Sequence, residues 1–83
     1  MEKIKVLDAC AIIAYLRGEE GGTIVEKLLA DSDLSCIAHA VNVCEVYYDF
    51  LRASGKEDAR NAVTDLLNAG VTVREDLSES FWK

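Results

Sequence analysis

The chain has eighty-three residues, a net charge of −6 and 51% apolar side chains, which describes one small domain with material for a single core. No run approaches the ~18 apolar residues that a membrane-spanning helix needs. The start Met1-Glu2-Lys3-Ile4-Lys5 lacks the apolar stretch and cleavage site of a secretory signal, so the expected location is cytoplasmic. The acidic balance argues against broad electrostatic binding of nucleic acid. It leaves room for a nuclease, because metal ions held by carboxylates invert the local charge, and for a basic protein partner.

In chain order, Lys3 to Leu7 reads as a short strand, and Ala9 to Leu16 as a helix apolar nearly all round and hence packed against a sheet. The loop Arg17-Gly-Glu-Glu-Gly-Gly follows. Thr23 is placed to cap a second helix through Ala30, with Ile24, Val25, Leu28 and Leu29 on one face. Leu34 to Ala38 is a second strand. Asn42 is expected to open the third helix, where Val43, Val46, Tyr47, Phe50 and Leu51 form one apolar stripe. Gly55 is its stop. A fourth helix runs from Lys56 to Ala69, striped by Ala59, Ala62, Val63, Leu66 and Leu67, with Glu57 and Asp58 at its positive end. Val71 to Arg74 is a third strand, and Asp76-Leu-Ser-Glu79 has the spacing of a capping box that opens a last helix.

The pattern βααβααβα predicts an α/β fold, three-layer, with a short parallel sheet and right-handed crossovers. In such sheets ligands bind beyond the carboxyl ends of the strands. Asp8 stands at the end of the first strand, between two apolar segments, where a carboxylate needs compensation. It reads either as a helix N-cap or as a ligand-facing carboxylate. The two roles are compatible if one oxygen caps and the other faces a site. The topology sends Glu45, at the start of the third helix, towards the same sheet edge. Glu45 also has two readings, the N3 position of a capping box begun by Asn42 or a side chain pointing into a site. Cys10, Cys36 and Cys44 have no metal-binding spacing, and all three are expected to be buried free thiols.

The segment Val6-Leu-Asp-Ala-Cys-Ala-Ile-Ile-Ala-Tyr-Leu-Arg-Gly-Glu-Glu-Gly21 resembles the opening of a PIN domain. Asn42-Val-Cys-Glu45-Val-Tyr, entering an amphipathic helix, is similar to that family's second acidic motif. The nearest resemblance is to the ribonuclease toxins of type II toxin–antitoxin pairs. It implies a metal-dependent endoribonuclease that hydrolyses RNA phosphodiester bonds, with Asp8 and Glu45 as catalytic and metal-binding carboxylates for Mg²⁺ or Mn²⁺, and with an antitoxin protein as a further partner. The chain departs from the family in carrying Ala9 and Cys10, where many relatives place a hydroxyl. It also lacks a match to the third acidic motif, so residues 1–83 are expected to form a single PIN-like domain, incomplete in its C-terminal third. The family's sheet order of 3-2-1-4-5 would then leave the first strand as an exposed apolar edge, and a homodimer is expected. The alternative is a catalytically inactive PIN domain that keeps only dimerisation or antitoxin binding. A receiver-like phosphoacceptor role for Asp8 would need acidic residues before it, where Val6 and Leu7 stand.

Overall fold

A computed structural model describes residues 3–75. The expected capping box at Asp76–Glu79 and the helix after it lie outside the described residues. The chain runs β1 (Lys3–Leu7), α1 (Ala9–Leu16), α2 (Gly22–Ala30), β2 (Leu34–His39), α3 (Ala40–Ser54), α4 (Lys56–Asn68) and β3 (Thr72–Arg74). The three strands form one parallel sheet in the order β1-β2-β3. This is the α/β class and the parallel topology expected of alternating strands and helices.

Register explains the core. Lys5 stands opposite Cys36 and Leu7 opposite Ala38, so Leu7, Cys36 and Ala38 point to the same face. All three are buried, and with them pack Ile12 of α1, Val25 of α2, Val46 of α3 and Leu66 of α4. The opposite face of β1 carries Ile4 and Val6, which are 64% and 56% exposed. Burial pushes the Cys36 thiol above its ordinary value, and the nearby Asp31 carboxylate adds to the shift.

α1 is shielded along most of its length, as a helix apolar all round must be. Its exception is Cys10, which is exposed, as is Cys44 on α3. Only Cys36 is a buried thiol. The expectation for the other two fails because each lies on the outward side of a helix whose inner side holds Ile12 or Val46.

Two helix starts also differ from expectation. α2 begins at Gly22 rather than after a Thr23 cap, and its N-cap is Gly21 at φ 96°, with no side-chain cap bond. The reason is a close approach between helices. A Cβ on Gly22 would lie 2.6 Å from the Ala14 carbonyl oxygen and 2.9 Å from Tyr15 Cα, so only glycine lets α2 start against α1. Ile24, expected on the inner face, is 65% exposed. α3 begins at Ala40, not at Asn42. β2 runs on to His39, which pairs with Arg74 of β3, and the chain turns into helix without a loop. Gly55, at φ 96°, ends α3 and starts α4. Its N–H donates to Leu51 O, and its own carbonyl accepts from Ala59 N–H.

Candidate active site

The two sequence-selected carboxylates occupy different kinds of position: Asp8 directly follows β1, and Glu45 sits on α3, the helix that leaves β2. Asp8 follows the last residue of β1 and caps α1, with Ala11 N–H donating to Oδ1 at 2.8 Å. It is exposed, and among the described residues Oδ2 takes no hydrogen bond. Both readings of Asp8 are therefore compatible: one oxygen is spent on the helix and the other is open.

Glu45 is not a capping residue. With α3 starting at Ala40, it is the sixth helical residue, in the second turn, and the capping-box reading of Asn42 and Glu45 is overturned. The cap is His39, whose Nδ1 accepts from Val41 N–H at 3.1 Å. Glu45 is exposed and lines an open cleft of about 400 Å³ between α1 and α3. Asp8 lines an adjoining groove of about 440 Å³ along β1, α1 and α2. Cys10 borders both.

Beside Glu45 the cleft contains Tyr48, Asp49 and Arg52, which the sequence reading passed over. Glu45, Tyr48, Asp49 and Arg52 all line it from α3, at i, i+3, i+4 and i+7, which is one helical stripe. It runs beside the apolar stripe through Val46 and Phe50, and the same periodicity in the sequence would have found it. Glu45 and Asp49 are like charges one turn apart, an arrangement that repels. Arg17, just past the end of α1, relieves this. Its guanidinium lies 2.8 Å from Asp49 Oδ2 and 4.7 Å from the centre of the Phe50 ring. Both partners of the pair are about a third exposed, so the contact orients α1 and α3 more than it stabilises them.

The donors have the right chemistry for a hard divalent cation, since carboxylate oxygens are what Mg²⁺ and Mn²⁺ take. Among the described residues, no three His, Cys, Asp or Glu side chains gather into a group able to hold a metal ion. The fit is thus one of donor chemistry alone: Asp8 and Glu45 are exposed carboxylates that line adjoining grooves. Mg²⁺ sites commonly use one or two carboxylates completed by water and substrate phosphate.

Residues 5–82 match the family model of the PIN domain. The match spans nearly the whole chain, and the chain belongs to the PIN-domain family. Membership points to nuclease activity in general, and PIN nucleases act on RNA and generally depend on divalent metal. Comparison with curated proteins and with solved structures returned no match. No described helix is long and apolar enough to cross a membrane.

Proposed function

We propose that this chain is a toxin-like, metal-dependent endoribonuclease in which Asp8 and Glu45 are the catalytic carboxylates and hold Mg²⁺ or Mn²⁺. One observation carries the reading. In a chain matched to the PIN family over residues 5–82, the first acidic residue leaves β1 and the second rides on the helix that leaves β2, and those two strands are adjacent and parallel. The bound cation would supply a water of lowered pKa and neutralise charge on the phosphate. Asp8 contributes through Oδ2 while Oδ1 stays on Ala11 N–H, so its carboxylate is held by the helix it caps. Glu45, free of any capping duty, brings its charge to the cleft from the second turn of α3. Arg17 keeps Asp49 from adding a further unpaired negative charge where a phosphate must approach.

The test is Mn²⁺-dependent cleavage of a mixed RNA by the purified chain, with Asp8→Asn and Glu45→Gln beside it. The expected result is cleavage by the parent and none by either variant. A parent chain that cleaves nothing with Mg²⁺ or Mn²⁺ overturns the catalytic reading.

A second reading, an inactive PIN domain kept for self-association or antitoxin binding, is favoured by two features. No three-ligand group exists among the described residues, and β1 exposes Ile4 and Val6, with Val6 and Ile24 lining the same groove. The homodimer proposed here uses that apolar edge. A light-scattering mass of one chain at micromolar concentration would refute it. A cytoplasmic location accompanies both readings and is supported by free thiols at Cys10, Cys36 and Cys44.

A further inference from the structure

We propose that the face of α3 carrying Tyr48 and Arg52 is a subsite for single-stranded RNA, in which Tyr48 stacks on a base and Arg52 pairs with a backbone phosphate. The inference rests on the ribonuclease reading and names where its substrate lies.

Tyr48 is a large aromatic side chain left 54% exposed and lining the cleft that also contains Glu45. Its ring meets that of half-buried Tyr47 at 5.7 Å between centroids and 80° between planes. Whichever ring presents its edge, this perpendicular contact leaves at least one face of Tyr48 uncovered by Tyr47. An uncovered, laterally supported aromatic face is the platform on which unpaired bases stack. Tyr48 has a polar hydroxyl and only two side-chain torsions, so little freedom is lost when a base settles on it.

Arg52 lines the same cleft one turn further along. It is exposed, and among the described residues it has no carboxylate partner, whereas Arg17 is already engaged by Asp49. In a chain of net charge −6 the general field repels RNA, so affinity must come from local contacts. Along the α3 axis Tyr48 lies about 4.5 Å beyond Glu45 and Arg52 about 10.5 Å beyond it, at 1.5 Å per residue. Acid, aromatic ring and cation thus follow one another along one helical stripe. A strand whose scissile phosphate sits at the sheet edge would pass over the ring and then the guanidinium.

The experiment measures binding of a fluorescein-labelled oligoadenylate RNA by anisotropy, in EDTA and at low salt, so that binding is read without cleavage. The parent is compared with Tyr48→Ala, Tyr48→Phe, Arg52→Ala and Arg60→Ala. Arg60 is exposed on α4 outside the cleft and controls for net charge. Tyr48→Ala should weaken binding about tenfold with an unchanged salt dependence, and Tyr48→Phe should bind as the parent does. Arg52→Ala should weaken binding and lower the log–log salt slope by about 0.7, one phosphate contact on a single strand. Arg60→Ala should do neither. Circular dichroism of each variant verifies the fold. The subsite is overturned if Tyr48→Ala binds as the parent does, if Arg60→Ala matches Arg52→Ala, or if the parent has no affinity for the probe. The Mn²⁺ cleavage assay separates the two failures: RNA cleaved by the parent and equally by Tyr48→Ala refutes the subsite and leaves the ribonuclease reading standing.

Discussion

The molecule contains the same βαα unit twice, β1-α1-α2 and β2-α3-α4, and the two solve the strand-to-helix junction differently. Leu7 pairs with Ala38, so Asp8 and His39 hold corresponding places, each just beyond that pair, and each caps the helix that follows with a side-chain acceptor. In the first unit the cap is itself the candidate catalytic acid. In the second an imidazole caps, and the acid is moved six residues along, onto the outer face of α3. The difference separates two demands that a carboxylate at a junction must otherwise meet together. Asp8 is rigid because it is tied to Ala11 N–H, whereas Glu45 has its whole side chain available and owes nothing to the helix start.

Perturbing the two units separately tests this division. The largest effect is expected on metal affinity. Asp8→Asn and Glu45→Gln should each lower Mn²⁺ affinity, read by calorimetry, more than about a hundredfold, since even residues that only support metal ligands cost 10–100-fold. Parent-like affinity in either variant would remove that residue from the site. Next, Gly22→Ala should destabilise the first unit by about 1–3 kcal/mol in urea unfolding, because the added Cβ meets backbone at 2.6 Å. No shift in midpoint would mean that α2 can slide away from α1. A smaller effect sharpens the contrast between the acids. Asp8→Ala should cost about 1 kcal/mol as a lost cap, and Glu45→Ala should stay within about 0.5 kcal/mol of the parent. Equal costs would contradict the assignment of the cap in α3 to His39.

The smallest effect concerns Cys36. Cys10 and Cys44 should react with a thiol reagent in the native state, and Cys36 only on unfolding. Its thiol is raised by burial and by Asp31, so folding favours the neutral form. Its contribution to stability is intact below the unfolded value of 9.0 and is lost as pH rises from there through the folded value. Cys36→Ala should flatten this part of the decline in urea midpoint above pH 9.0.

What local pattern encodes was legible. The apolar run from Ala9 to Leu16 bounds α1 as read, and Gly55 divides α3 from α4 because its positive φ is a property of the residue itself. The start of α2 was not legible, because it depends on how closely Gly22 approaches Ala14 and Tyr15, a contact between helices. The start of α3 depends on β2 reaching His39, which is decided by pairing with Arg74, 35 residues away in the chain. Asn42 offered a locally good cap, and tertiary pairing overrode it. Asp8 and Glu45 could be selected as a pair because the parallel topology follows from the alternation of strands and helices. Tyr48, Asp49 and Arg52 sat at a visible helical spacing, but the stronger apolar stripe through Val43, Val46 and Phe50 masked them.

The parallel sheet also orders events in time. Lys3 finds its partner Leu34 only 31 positions later, and Ile37 finds Thr72 only 35 positions later. Each strand pairing must close a loop that contains two helices, whereas the α1–α2 and α3–α4 contacts join neighbours in the chain. The entropy of loop closure favours the helical hairpins as the first structures to form and the sheet as the last. Until β2 has emerged during synthesis, β1 has no partner within its own sheet, and Ile4, Val6 and Leu7 are open to any other extended strand. The first half of the chain is therefore the window in which misassembly competes with folding.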